Sequence, residues 1–117
     1  MYSIVVKGSA PSLSCTEKEF QERVMDLAKL QGWLVVHIRP AYRQSGKVST
    51  PYTGDSGLPD LILARAGVVL LVELKSEKGK PTAEQLRWLK AAGPNGYLWR
   101  PSDWATIQDV LGRKRPA

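Results

Sequence analysis

Three charged residues, Asp60, Glu73 and Lys75, have types and spacing that suit metal binding and chemistry on a phosphate ester. Asp60 and Glu73 flank the dipeptide Ala66-Gly67, which suits a two-residue hairpin turn. With that dipeptide at the centre of the turn, Asp60 lies directly opposite Glu73, where Cβ atoms are about 4.5–5.5 Å apart. Two carboxylates so close repel each other unless a cation lies between them. Mg²⁺ prefers carboxylate oxygens, together with water and phosphate oxygens.

Lys75 follows Glu73 by two positions, a spacing that puts both side chains on one face of a strand. A lysine beside a metal-bound water can stabilise the charge that builds on a phosphate in the transition state. The preceding residues 68–72 are apolar on both faces, which predicts a buried central strand. Charges occur only at its C-terminal end, where sites on such sheets usually open.

The rest of the sequence predicts the elements that must hold this hairpin. The predicted helices begin at the caps Thr16, Thr82 and Ser102 and end at Gly32, Gly93 and Gly112. The predicted strands are residues 33–38, 61–64, 68–75 and 97–99. Residues 40–57 have no apolar period and predict a long loop, a length usual for functional or disordered segments. We therefore expect an α/β fold of order α-β-β-β-α-β-α, with a central mixed sheet of about four strands flanked by helices.

The division of the chain follows from its length and its breaks. At 117 residues it can hold one domain with a core but not two. We expect an N-terminal arm at residues 1–15, one folded domain at 16–112 and a basic tail at 113–117. The longest apolar run is too short to cross a bilayer, and no secretory signal is visible. The lone Cys15 excludes an internal disulfide, which fits a reducing compartment. Together with the short apolar run, it leads us to expect a cytoplasmic protein without a membrane partner.

A net charge of +6 favours polyanionic partners such as nucleic acid. The long loop carries basic and aromatic residues suited to contact with a nucleic-acid backbone and to stacking on bases. These are Arg39, Arg43, Lys47 and Tyr52. A loop that is merely solvated fits the same composition, and nothing in the sequence separates DNA from RNA.

The ordered set of motifs resembles a known family. Gly57-Leu58-Pro59-Asp60, the hairpin, Glu73-Leu74-Lys75-Ser76 and then Gln85 at the start of a helix resemble the PD-(D/E)XK nuclease signature, in the form of its VRR-NUC (virus-type replication-repair nuclease) branch. The resemblance covers about residues 16–104 and implies a restriction-endonuclease-like core. It further implies a phage or bacterial enzyme of DNA repair and recombination that needs Mg²⁺ or Mn²⁺. Such an enzyme would act as a homodimer on four-way (Holliday) junctions or flaps, leaving a 5′-phosphate and a 3′-hydroxyl.

The resemblance also implies a role for each matching residue. Asp60, Glu73 and the Leu74 carbonyl become metal ligands, Lys75 becomes the catalytic lysine, and Gln85 supports the site. The family often places a glutamate on the first helix. Glu17 and Gln21 are the candidates for that position. Both lie at helical spacing from the apolar residues Val24 and Ala28, so we expect both to face inward.

Simpler interpretations exist for each residue and for the whole chain. Asp60 suits a turn, Gln85 a capping box, and Glu73 with Lys75 a surface ion pair worth about 0–1 kcal/mol. Two functional alternatives follow: a DNA-binding accessory module with an inactive nuclease fold, or a basic interaction protein that binds an acidic protein. Neither needs metal-dependent cleavage, and the second needs no pair of carboxylates.

Overall fold

The computed structural model describes residues 15–38, 41–42, 48–49 and 53–113. Most of the predicted N-terminal arm and all but Arg113 of the predicted tail lie outside this part of the chain. The elements are α1 (Glu17–Leu30), β1 (Leu34–His37), β2 (Ala41–Tyr42), β3 (Val48–Ser49), β4 (Leu61–Arg65), β5 (Val68–Leu74), α2 (Ala83–Ala92), β6 (Gly96–Trp99) and α3 (Trp104–Gly112). The predicted order of three helices and four main strands is confirmed. The short antiparallel pair β2–β3, which lies inside the segment predicted as a loop, was missed.

The four main strands form one mixed sheet in the order β1-β4-β5-β6. Its first two pairings are antiparallel, and β5 pairs with β6 in parallel, so the α/β class with a mixed four-stranded sheet is confirmed. The β4–β5 hairpin has the predicted register, with Leu61 opposite Val72. Its turn residues Ala66 and Gly67 have φ of 51° and 84°. Positive φ at both central residues is what a hairpin turn that matches the strand twist requires.

One face of the sheet forms the core with α1 and α3. The sheet supplies a row of alternate residues that pair across β4 and β5, and the helices supply apolar residues at helical spacing. The buried residues from these elements are Leu61, Leu63, Leu70, Val72 and Leu74 of the sheet, Phe20, Val24 and Ala28 of α1, and Ile107, Val110 and Leu111 of α3. This layer holds the hairpin from one side.

The other face is covered by α2, which packs on β6 and on part of the neighbouring strand β5. A Cβ atom added at Gly96 would lie 2.5 Å from the carbonyl oxygen of Leu89, so α2 packs directly on the β6 backbone. Farther from α2, Leu34, Val36 and Val69 are 75%, 53% and 51% exposed. The prediction that residues 68–72 are buried on both faces is therefore wrong at Val69, because this residue lies near the hairpin turn, on a part of β5 that α2 leaves uncovered.

Local signals for the helix ends proved accurate, with one exception. Both predicted capping boxes are formed, at Thr16 of α1 and at Thr82 of α2. The predicted cap Ser102 is wrong: a single 3₁₀ turn of Pro101–Asp103 precedes α3, and Asp103 is the residue before its first turn. The Asp103 carboxylate instead accepts a hydrogen bond from the backbone N–H of Arg100, at 2.8 Å.

The end of the sheet that holds the hairpin turn is closed by aromatic and charged groups. Trp33 donates its indole N–H to the carbonyl of Leu111 at 2.9 Å. The Arg65 guanidinium lies 4.5 Å from the Trp33 ring centroid and donates to the carbonyls of Gln31, Leu111 and Arg113. These contacts satisfy carbonyls at the C-terminal ends of both α1 and α3. Within the described residues, no helix is long and apolar enough to span a membrane.

We predict that Gly57→Ala destabilises the fold more than Gly67→Ala does. The two glycines have nearly the same φ, 89° and 84°, so the conformational cost of about 1–2 kcal/mol applies to both. An added Cβ at Gly67 meets nothing within 4 Å, whereas at Gly57 it would lie 2.5 Å from the backbone of Glu84. Overpacking adds about 1–3 kcal/mol. Urea denaturation of both variants measures the difference, and equal losses would show that α2 does not pack on Gly57.

Candidate active site

The sheet brings Asp60, Glu73 and Lys75 together at one end. Asp60 immediately precedes β4, and Glu73 lies one position beyond the Leu61–Val72 pair on β5. The Asp60 carboxylate accepts a hydrogen bond from the Leu74 N–H at 2.9 Å, so it reaches across to β5. The carbonyl oxygen of Asp60 accepts from the Ile38 N–H at 2.7 Å, which holds the same residue to the end of β1. Asp60 is therefore fixed from both neighbouring strands.

Glu73 is a buried carboxylate, with 1% of the residue exposed. Its Oε2 atom lies 3.2 Å from Nζ of Lys75, whose side chain is 19% exposed. Its Oε1 atom is buried and has no hydrogen-bond partner. This pair is thus not the exposed surface ion pair of the simpler interpretation, and one carboxylate oxygen remains unsatisfied at large cost in free energy.

The surroundings of Glu73 raise the pKa of its carboxyl to about 7. Burial is the main cause, because it disfavours the charged form, and the nearby Asp60 carboxylate adds to it. The hydrogen bond and positive charge of Lys75 oppose the rise without cancelling it. A carboxyl with this pKa is poised between the two states near neutral pH, and a nearby cation would favour the charged one.

The chemistry of these donors fits a divalent cation. The buried, unpartnered Oε1 of Glu73 needs either a proton or a positive ion, and the Asp60 carboxylate lies beside it. In the described part of the chain, no group of three or more His, Cys, Asp or Glu side chains could hold a metal. Two carboxylates, with the Leu74 carbonyl that the resemblance implies, would leave coordination positions for water and phosphate oxygens, the arrangement Mg²⁺ usually adopts.

Gln85 takes part in a capping box at the start of α2. Its side-chain oxygen accepts from the Thr82 N–H at 2.9 Å, and its own N–H donates to the Thr82 hydroxyl at 3.1 Å. The close packing of Gly57 against Glu84 and Gln85 places the start of α2 beside the segment that leads into Asp60. The structural interpretation of Gln85 is thus confirmed, and its support of the site stays a prediction.

The two first-helix candidates differ in the structure. Glu17 is exposed, so the expectation that it faces inward is wrong. Its place in the first turn of α1 puts it before the stretch that packs on the sheet. Gln21 is half-buried, and its Nε2 lies 3.4 Å from Nδ1 of His37 at the end of β1. The structure therefore gives Gln21 a partner outside the Asp60–Glu73 pair.

The predicted nucleic-acid contacts Arg39, Arg43, Lys47 and Tyr52 all lie outside the described residues. A groove of about 340 Å³ runs beside α2, between that helix and the loop that leads to Gly57. It is lined by Asp55, Arg87, Trp88, Lys90 and Ala91. The Trp88 indole N–H donates to the Ser56 carbonyl at 3.0 Å, which fixes this loop against the helix.

Arg100 is the residue near this site that the sequence did not single out. Its guanidinium donates to three carbonyls of the loop that directly follows Lys75. An arginine between a strand and a proline carries no motif, so only the folded chain reveals the contact.

No family model matches the chain, and neither does any curated protein or solved structure.

We predict that Glu73→Gln changes how stability depends on pH when no metal is added. Because the folded pKa is raised from 4.5 to about 7, Glu73 increasingly penalises folding of the wild type as pH rises from about 4.5 to 7, and the penalty levels off above that. That penalty is absent below about pH 4.5 and reaches about 3 kcal/mol at most, at 1.36 kcal/mol per pKa unit. Relative to wild type, Glu73→Gln should gain stability between pH 5.5 and pH 8.5.

Urea denaturation in EDTA at those two pH values measures this gain. Glu22→Gln, at an exposed position of α1, is the matched control and should follow the wild type at both. Equal pH dependence of Glu73→Gln and wild type would contradict the raised pKa.

Proposed function

We propose that this protein is a divalent-metal-dependent endonuclease that hydrolyses phosphodiester bonds in DNA. One observation carries the proposal: a buried carboxylate with an unpartnered oxygen, Glu73, lies beside a second carboxylate, Asp60, and an ion-paired lysine, Lys75. Burying such a group destabilises a fold, so a stabilising role for the cluster does not explain it. Perturbed titratable groups of this kind are concentrated at functional sites.

In this proposal, Asp60, Glu73 and the Leu74 carbonyl hold Mg²⁺ or Mn²⁺. When bound, the ion supplies an activated water and positive charge against the phosphate. Asp60 is pre-positioned by its hydrogen bond from the Leu74 N–H, so little reorganisation is needed to bind a cation. Lys75, held 3.2 Å from Glu73, presents its ammonium group to the charge that develops on the phosphate oxygens.

The charge of the chain supports a nucleic-acid substrate. Seventeen Lys and Arg residues against eleven Asp and Glu give the net charge of +6, which attracts the phosphate backbone. Arg87 and Lys90 line the groove beside α2, together with Asp55 of the segment that leads to Asp60. Arg87 is only loosely paired, 3.8 Å from Asp55 at the surface, so its guanidinium can turn to a phosphate at little cost.

For the substrate and assembly we propose branched DNA, such as four-way junctions or flaps, cut by a homodimer. One copy has one Asp60–Glu73 pair and would cut one strand in each encounter, whereas paired cuts need two. Strand β1 supports a contact between copies, since it is an edge of the main sheet and exposes Leu34 and Val36. Sedimentation equilibrium tests the dimer independently of cleavage.

One observation favours the alternative of a DNA-binding module with an inactive site. Glu17, the only carboxylate among the first-helix candidates, is exposed, and the described residues contain no third acidic ligand near the pair. Metal binding separates the two functions, because an inactive module should bind Mn²⁺ weakly and bind DNA equally well in EDTA.

We predict that metal-dependent cleavage requires both Asp60 and Lys75. Labelled linear duplex, single-stranded, 5′-flap and four-way-junction DNA would be incubated with Mg²⁺, Mn²⁺ or EDTA. Asp60→Asn should abolish cutting because it removes a ligand charge while keeping the side-chain shape. Lys75→Ala should lower kcat by about 100-fold or more, the usual effect of losing a group that stabilises transition-state charge.

Asp26→Asn and Lys29→Ala are the matched controls, since both change exposed residues of α1 by the same chemistry. Both should retain wild-type activity. DNA binding without cutting, unaffected by EDTA or by Asp60→Asn, would overturn the proposal and favour the binding module.

We further predict that Gln85→Glu keeps the stability of the wild type, because glutamate also accepts the Thr82 N–H in a capping box. Gln85→Ala should lose about 1 kcal/mol. Comparing the cleavage rates of the two variants separates capping from site support. A large loss of rate in the stable Gln85→Glu variant would show that the amide itself serves the site.

A further inference from the structure

A single arginine holds the loop that directly follows the candidate catalytic lysine. One guanidinium nitrogen of Arg100, Nη1, donates to the carbonyls of Ser76 at 2.6 Å, Gly79 at 2.6 Å and Glu77 at 3.2 Å. This nitrogen has two hydrogens for three acceptors, so at least one hydrogen is shared. Three backbone carbonyls on one charged group fix the path of the chain from Ser76 to Gly79.

Arg100 is in turn fixed to the structure beneath it. Its backbone N–H donates to the Asp103 carboxylate at 2.8 Å, in the 3₁₀ turn before α3. A second link joins the 76–79 loop to the segment after β6, because the Ser102 N–H donates to the Glu77 carboxylate at 2.5 Å. The segment after β6 thus holds the loop through its backbone carbonyls and through the side chain of Glu77.

Lys75 lies at the start of this tied loop. Its N–H donates to the Trp99 carbonyl at 3.0 Å, one residue before Arg100 on the neighbouring chain segment. The Lys75 backbone is thus bounded by the β6 hydrogen bond on one side and by the Arg100 carbonyl contacts on the other. Without Arg100, the Ser76 carbonyl loses its charged partner. The backbone at Lys75 is then held only by its hydrogen bond to Trp99 and can fray.

We propose that Arg100 is a positioning residue: through the carbonyls of the 76–79 loop it holds Lys75 in place beside Glu73. The inference rests on the proposed nuclease function and extends it to a residue outside the acidic pair. A displacement of about 1 Å in a catalytic group can cost about 100-fold in rate. The effect of Arg100 should therefore fall on kcat, whereas KM should change little, because Arg100 acts on Lys75 and not on the substrate.

Arg65 offers a matched control at the opposite end of the sheet. It too is an arginine whose guanidinium donates to three backbone carbonyls, those of Gln31, Leu111 and Arg113. It lies beside the Ala66-Gly67 turn, at the other end of β4 from Asp60. Loss of Arg65 should lower stability in the same way as loss of Arg100 and leave the active site undisturbed.

The test compares Arg100→Ala, Arg100→Lys and Arg65→Ala in steady-state cleavage of the DNA that the wild type cuts best. Rates are expressed per folded molecule, from denaturation curves under the same conditions. Arg100→Ala should lower kcat at least tenfold with KM within threefold, and Arg65→Ala should keep kcat within twofold. Arg100→Lys should recover part of the loss, since an ammonium group also offers three donors from one nitrogen.

Two further readouts reach the loop directly. Hydrogen exchange of the amides at residues 76–79 should speed up at least tenfold in Arg100→Ala and stay unchanged in Arg65→Ala. Guanidinium ion at low millimolar concentration should restore part of the activity of Arg100→Ala, because it can donate to the same carbonyls of Ser76, Glu77 and Gly79. It should not restore the activity of Lys75→Ala.

The outcomes separate this inference from the proposed function. An undiminished kcat in Arg100→Ala, or unchanged loop exchange, overturns the positioning role while the nuclease function stands. An equal loss of kcat in Arg65→Ala also overturns it, since the loss would then reflect general destabilisation. A wild type that cuts no DNA overturns the proposed function and the positioning role together.

Discussion

The register of the β4–β5 hairpin is the constraint on which the rest of this structure depends. Positive φ at Ala66 and Gly67 fixes a two-residue turn, and the turn fixes which residues of the two strands lie opposite one another. A slip of either strand by one residue would turn that strand's residue, Leu61 or Val72, out of the core and separate Asp60 from Glu73. The same register therefore fills the core on one face and assembles two carboxylates at the far end of the strands.

Local chemistry made much of this predictable from the sequence. The turn dipeptide gives the register, two capping boxes give the starts of α1 and α2, and the spacing of Glu73 and Lys75 places them on one face. Errors arose where a contact distant in sequence decides the outcome. Val69 is exposed because α2 leaves the part of β5 near the hairpin turn uncovered, and no pattern within residues 68–72 encodes how far a helix reaches.

The candidate site was likewise predictable in its carboxylates and not in its support. Asp60 and Glu73 stand out because acidic residues flank an apolar hairpin, which is a local signal. Arg100 has no such signal, because its three acceptors are backbone carbonyls of a loop more than twenty residues earlier in the chain. Ser102 matched a capping pattern, yet the 3₁₀ turn at Pro101 moved the start of α3 to Trp104.

The two ends of the sheet show opposite solutions to the burial of polar groups. At the hairpin turn, Arg65 and Trp33 donate to the carbonyls of Gln31 and Leu111 at the ends of α1 and α3, so these acceptors are satisfied. At the other end, Glu73 keeps a buried oxygen without a partner and a raised pKa, although Lys75 lies within 3.2 Å. Both ends rest on the same strands and the same core, so packing alone does not force the difference. A fold that satisfies these acceptors at one end and leaves a carboxylate oxygen without a partner at the other bears a local cost in stability, which a proton or a bound cation would offset.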